Sequence, residues 1–233
     1  VDDNGTSDDN PLYNILRMRR DIGAQSNIGV VYTDRMQGDL YNRVAGADTR
    51  IVFDDNKYIF SGQLATSFTR RATDPEALHG KPLFDVSMNR TGREFGWSAR
   101  VNGLHPDFVT QSGFTSRTGI AHANFQPRWS WYPKESFIRT ISFAPHADGT
   151  WEWDRFMKGT FPNDLKLNTS TNVVFTNGWR GTFYHWSETF KYPDYLYTNY
   201  YIAQQNPTTG ATDTVPYKGT DRLTNVGVMT AIN

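Results

Sequence analysis

Residues Lys57–Thr69, KYIFSGQLATSFT, alternate without a break. Tyr58, Phe60, Gly62, Leu64, Thr66 and Phe68 fall on one side. Lys57, Ile59, Ser61, Gln63, Ala65, Ser67 and Thr69 fall on the other. A period of two held over so long a run specifies a strand with one apolar and one polar face. The next run repeats it, with Phe84, Val86 and Met88 against Asp85, Ser87 and Asn89. After the turn Asn89-Arg90-Thr91-Gly92, the residues Phe95, Trp97, Ala99 and Val101 oppose Glu94, Ser98, Arg100 and Asn102. Apolar outward and polar inward is the dyad pattern of a membrane β-barrel. It speaks to location and is silent on reaction or cargo.

The same reading extends to both ends of the chain. VDDNGTSDDN at 1–10 is a polar linker, since its acidic residues lack the spacing and closing Glu of a calcium loop. From residue 11 to 233 the chain reads as one β domain. Strands are expected over Leu12–Arg20, Asn27–Arg35, Arg43–Phe53, Arg117–Trp131, Phe137–Pro145, Trp151–Phe161, Leu165–Thr176, Trp179–Phe190 and Asp221–Ile232. Asp54-Asp55-Asn56 and Asn177-Gly178 supply tight turns between them. The expected fold is an all-β, antiparallel, up-and-down transmembrane barrel, or a large part of one, with about a dozen strands. One feature conflicts with it. Short turns alternate with long loops from Asp54 to Ser136, but the long loop Lys191–Gly219 then falls on the short-turn side, which means either a missed strand near Tyr197–Gln204 or a relaxed rule.

The polar side of these strands carries Asp48, Arg50, Gln63, Asp85, Glu94, Arg100, His122, Arg128, Glu152, Asp154, Lys158 and Lys166. Burying so many charges in a dry core would cost several kcal/mol each unless paired. Either that face meets bulk solvent or it lines a hydrated lumen; the barrel reading assigns these residues to the lumen. Phe60, Leu64, Phe84, Val86, Phe95, Trp97 and Trp153 are assigned to lipid. Tyr58, Trp129, Trp131, Trp151 and Trp179, near strand ends, suit the aromatic girdles at the two membrane surfaces.

Composition agrees. Lys plus Arg and Asp plus Glu both number 24, so no net field favours nucleic acid. With no cysteine there is no disulfide, thiolate metal site or Cys nucleophile. Aromatics reach 15% while all hydrophobics make up only 37%, a balance that suits a barrel better than an aliphatic core.

The five histidines (His79, His105, His122, His146, His185) show no metal-ligand spacing, and no metal or cofactor is expected. Phosphate-loop, dinucleotide and nucleophile-elbow motifs are missing as well. Glu152 and Asp154, two apart on one expected strand face, would hold carboxylates roughly 7 Å from each other. A glycosidase needs two such groups, so these are the weak catalytic candidates. Tyr192, Tyr195, Tyr197, Tyr200 and Tyr201 form a loop cluster able to stack on sugar rings.

Taken together, Arg19-Arg20-Asp21-Ile22-Gly23, Tyr32-Thr33-Asp34-Arg35, Tyr41-Asn42-Arg43-Val44-Ala45-Gly46-Ala47-Asp48, and Gly113-Phe114 followed by Arg117 carry a resemblance. From about Asn10 onward the chain resembles the C-terminal region of the bacterial family called domain of unknown function 5916. The resemblance implies an outer-membrane barrel, preceded in family members by a carbohydrate-binding module similar to family 9. That module is missing here and Asn233 is not the aromatic residue that commonly ends such barrels, so a fragment of a longer chain is expected.

Three functional readings follow. The first is an outer-membrane, porin-like barrel for passage or surface handling of glycans, with membrane lipid, glycans or other membrane-complex subunits as partners. The second is a soluble carbohydrate-binding β module. The third is a glycoside hydrolase using Glu152 and Asp154.

Overall fold

A computed structural model describes residues 10–73, 79–113, 115, 117–191, 199–205, 207–217 and 222–232. Ten successive strands follow the chain: β1 (Leu12–Ile22), β2 (Ser26–Gln37), β3 (Leu40–Phe53), β4 (Tyr58–Arg70), β5 (Lys81–Arg90), β6 (Phe95–Leu104), β7 (Ile120–Trp131), β8 (Ile138–Glu152), β9 (Asp164–Phe175) and β10 (Arg180–Phe190). Each pairs antiparallel with the next, and β13 (Leu223–Ile232) adds to β10, giving one up-and-down sheet of eleven strands. A separate hairpin, β11 (Tyr201–Gln205) and β12 (Thr212–Pro216), stands in the long connection before β13. The linker expected at 1–10 lies, but for Asn10, outside the described residues.

Register carries the alternation from strand to strand. One row across the sheet reads Ala47, Leu64, Phe84, Gly103, Ala121 and Trp151. The adjacent row, one residue along, reads Asp48, Gln63, Asp85, Asn102, His122 and Thr150. A slip of one residue at any ladder would exchange the faces downstream of it. The one register shift among the described ladders, between Ile138 and Thr140, sits at the end of the β8–β9 ladder and leaves the rest of that ladder in register. One face is therefore mainly apolar and the other mainly polar from β2 to β9, while β10 departs from the pattern.

The turns explain why the chain reverses where it does. Asp54, Asp55 and Asn56 all sit at positive φ (53°, 51° and 66°), which Asp and Asn tolerate better than bulkier residues. At Asn177-Gly178, Gly178 takes φ 93° and Phe175 and Trp179 close the hairpin with an N–H to carbonyl bond of 2.9 Å. Together with 23–25, 91–94 and 132–137, these turns make up one end of the sheet. At the opposite end the chain passes from β2 to β3, β4 to β5, β6 to β7, β8 to β9 and β10 to β13, through 38–39 and 153–163 among the described residues. Apart from the two-residue turn 38–39, the short turns gather at one end, and the longer connections join strands at the other.

That arrangement removes the conflict noted from sequence. Phe137–Pro145 and Trp151–Phe161 are not two strands; β8 runs as one strand from Ile138 to Glu152, and α1 (Trp153–Met157) follows it. Reading one strand as two inserted a false reversal and sent every later loop to the wrong end. The β11–β12 hairpin covers part of the suspected extra strand, but it lies outside the main sheet.

The sheet forms a single layer. Among the described residues the buried apolar side chains are only Val44, Phe108, Ala121, Trp153 and Pro162. On the apolar face Leu64 is 61% exposed, Val228 58% and Ile28 47%. A sheet ordinarily buries its apolar face against a second element, and here the described residues supply one only at the long-loop rim. There Trp153 and Phe156 of α1 pack on Phe84, each with ring centroids 5.9 Å from it. Aromatic contacts also mark the short-turn end of this face: Phe53–Tyr58 (5.2 Å), Phe95–Trp129 (5.4 Å) and Phe137–Phe175 (6.0 Å). Between the two aromatic rims lie Val30, Ala45, Ala47, Val86, Ala99, Val101 and Ala123.

Candidate functional site

Several charges of the polar face stand in pairs. Arg17 of β1 reaches across β2 to a two-pronged contact with Asp48 of β3, its Nη2 donating to Oδ1 at 2.8 Å. It passes over Gly29, the direct partner of Asp48, where a Cβ would stand 2.7 Å from the guanidinium. Arg100 grips Asp85 in the same way, with Nε donating to Oδ1 at 2.9 Å. His122 Nε2 lies 2.7 Å from Asp148 Oδ2, and Lys166 Nζ lies 3.7 Å from Glu188. Bidentate guanidinium–carboxylate pairs hold geometry as well as charge. The face is thus strongly polar without a dominant sign.

Between the first two pairs lies a trough of about 570 Å³, lined by Asp48, Gln63, Asp85, Ser87, Arg100 and Asn124 among others. Short hydroxyls, amides and ion pairs make up most of its wall. Such a surface offers both donors and acceptors to a hydrated solute and little apolar area.

The loop after β6 folds onto this same face. Asn42 of β3 is fully buried beneath it. The Asn42 amide donates to Thr69 Oγ1 (2.8 Å) and to the Val109 carbonyl (2.9 Å), and its Oδ1 accepts the Gln111 N–H (2.9 Å). Ser67, also fully buried, accepts the Val109 N–H at 3.2 Å. Arg35 of β2 donates to Gln111 Oε1 at 3.1 Å. Phe108 is buried at 5% exposure. A loop leaving β6 is therefore fastened over β2, β3 and β4, covering the polar face near the long-loop end.

Of the residues assigned to water, Asp48, Arg50, Gln63, Asp85, Arg100, His122, Arg128 and Lys166 do share the polar face. Glu94 does not: it lies in the turn 91–94, off any strand face, where its carbonyl accepts the Ser130 N–H at 2.7 Å. Nor does Lys158, which caps the C-terminus of α1, because the strand that would have carried it ends at Glu152. Phe60, Leu64, Phe84, Val86, Phe95 and Trp97 share the apolar face. Trp153 does not join them as a strand residue; it opens α1 and is buried at 7% exposure.

Glu152 and Asp154 likewise do not share a strand face, since the backbone turns helical between them. Both line a hollow of about 290 Å³ at the long-loop end, together with Arg117, Thr118 and Trp153. Tyr200 and Tyr201 are exposed, while Tyr192, Tyr195 and Tyr197 lie outside the described residues. Among the described residues no group of three or more His, Asp or Glu side chains is placed to hold a metal ion.

Sequence reasoning missed three features. Asn42 and Ser67 gave no signal because their partner lies far along the chain. Asp34 and Arg43 pair on the apolar face near its long-loop rim (3.3 Å), with Arg43 also 4.2 Å above the Tyr41 ring. Tyr184 and Trp186 stand on the polar face of β10, a placement set by the register of β10 with β9 and β13.

Comparison with protein-family models, with curated proteins and with solved structures finds no match.

Proposed function

We propose that this sheet is wall from an outer-membrane β-barrel, with its apolar face in hydrocarbon and its polar face around a water-filled, porin-like passage for glycans or similar polar solutes. The observation that carries the reading is the single-layer sheet. An apolar band of Ile28, Val30, Leu64, Val86, Val101, Val226 and Val228 has no second protein layer against it among the described residues. Hydrocarbon supplies the missing layer. Strands of 10 to 15 residues reach or exceed the roughly 9–11 that a tilted strand needs to cross a bilayer. Short turns at one end and long loops at the other match the periplasmic and outer ends of such barrels. The loop fastened by Asn42 narrows the passage near the outer end, and the balanced ion pairs favour neutral polar cargo over either sign of ion.

The two edges constrain how the wall closes. β1 and β13 both run from the long-loop end to the short-turn end, so an antiparallel closure needs an odd number of strands between them. A second copy in the same membrane orientation presents edges running in that same direction, and so cannot supply that closure.

The test is extraction and conductance. The protein partitions with membranes, needs detergent to leave them, and, together with the strands that close its wall, forms ion-permeable pores in planar bilayers. Extraction into aqueous buffer as a stable monomer would reject the reading and favour the soluble carbohydrate-binding module.

A further inference from the structure

On β10 the polar face carries two aromatic rings in line, Tyr184 and Trp186. They stack with centroids 5.7 Å apart and planes 27° from parallel. Their placement is not a slipped register, because both neighbouring strands hold the common alternation. Leu167 of β9 and Val226 of β13 stay on the apolar face, opposite Ser187. Residues i and i+2 follow the strand direction, so the two rings form a strip running toward the two ends of the sheet rather than around it.

Apart from Met229, which faces Tyr184 from β13, the surroundings of the strip are hydrogen-bonding and charge-balanced. On the β9 side Asn168 faces Trp186 and Ser170 faces Tyr184. Below Trp186, Glu188 is engaged by Lys166 (3.7 Å) and by the Asn225 amide (3.3 Å). On the β13 side Gly227 faces Trp186, and a Cβ there would fall inside the indole ring. The indole therefore lies over the Gly227 backbone, held against the wall rather than projecting from it. Both aromatic side chains are half-buried, which leaves ring surface open to the polar side.

From this arrangement we infer that Tyr184 and Trp186 form a stacking strip for the pyranose rings of a neutral, linear oligosaccharide. A sugar ring has an apolar C–H face and a rim of hydroxyls. The strip offers π faces for the first, and amide, hydroxyl and carboxylate groups beside it for the second. The paired ions leave no net charge for an anionic or cationic ligand to answer. This inference rests on the reading of the polar face as water-filled.

The experiment uses the full chain in lauryldimethylamine oxide, a detergent without a sugar headgroup, with maltohexaose as probe and binding followed by calorimetry. Trp186→Leu keeps an apolar cover on Gly227 but removes the π face; Tyr184→Leu, which covers no glycine, serves as the second variant. Wild type binds the hexasaccharide saturably. Each variant weakens binding roughly tenfold or more, about the effect of one lost stacking contact, while its circular dichroism stays that of wild type. Absence of binding by wild type overturns the inference, as does unchanged affinity in both variants. Binding of adenosine without binding of maltohexaose also overturns it, since the strip would then select planar rings. Conductance in bilayers is read separately: pores without sugar binding reject the strip and leave the channel standing, and sugar binding without pores does the reverse.

Discussion

Pro127 and Pro145 face each other across β7 and β8. The pairs Phe125–Ala147 and Trp129–Phe143 flank them in one register, and no ladder pairing joins the strands between. Ser130 sends its N–H to Glu94 on the β6 side, so alternation aims the backbone nitrogen of Pro127 toward β8. Trp153 sends its N–H to Gly119 at the start of the same ladder, which aims that of Pro145 toward β7. Two donors that should be exchanged are both missing, and the gap is confined to one rung. Proline is ordinarily kept out of interior strands; pairing the two concentrates the loss.

Pro127→Val puts back one donor opposite the Pro145 carbonyl. A backbone bond is worth about 0.5–1.5 kcal/mol net, and losing a proline frees the unfolded chain by about 0.4–1 kcal/mol. The terms nearly cancel, so stability moves little. Amide exchange decides: the amide introduced by this substitution is protected like those of Phe125 and Trp129, and rapid exchange there would contradict the register.

Asn42→Ala frees the loop 105–113 from the polar face. It leaves the Val109 carbonyl and Gln111 N–H without their partner, a penalty of roughly 1–3 kcal/mol. Limited proteolysis within 105–113 rises several-fold and single-channel conductance increases. Unchanged conductance with a proteolytically opened loop would show that this segment does not narrow the passage.

Arginine separates the two faces. Leu64→Arg costs about 2–4 kcal/mol if the residue meets hydrocarbon at mid-depth, whereas Gln63→Arg, beside Asp48 and Asp85, is nearly neutral. Denaturant titration in lipid vesicles measures both, and the reverse ranking would invert the faces.

Cross-linking tests the edges. A cysteine pair at Ser187 and Val226, which face each other, oxidises readily, since facing Cα atoms about 4.5–5.5 Å apart suit a disulfide. Cysteine at Leu16 combined in turn with Val226, Val228 or Thr230 does not. Efficient coupling at any of these would mean that β1 and β13 join directly in parallel.

Most of the sheet was legible because alternation is a local signal. Phe60, Val86 and Trp97 could be assigned to one face, and Gln63, Asp85 and Arg100 to the other, from parity alone. Trp151–Phe161 misled because WEWDRFMKGTF alternates at its start and then bends into α1, and an apolar Trp153 satisfies either period. The candidate site was only half legible. Arg17 over Gly29 to Asp48, and Asn42 under Gln111, depend on pairings between distant segments that no single stretch reveals.

The most direct test of the central claim uses the absence of native cysteine. Single cysteines at Phe84, Asp85, Val86, Ser87 and Met88 are placed one at a time in protein reconstituted into lipid bilayers and treated with a membrane-impermeant maleimide. Asp85 and Ser87 positions label, while Phe84, Val86 and Met88 stay unlabelled until the bilayer is dissolved in detergent. Uniform labelling along β5, or labelling of Val86 in preference to Ser87, contradicts the account.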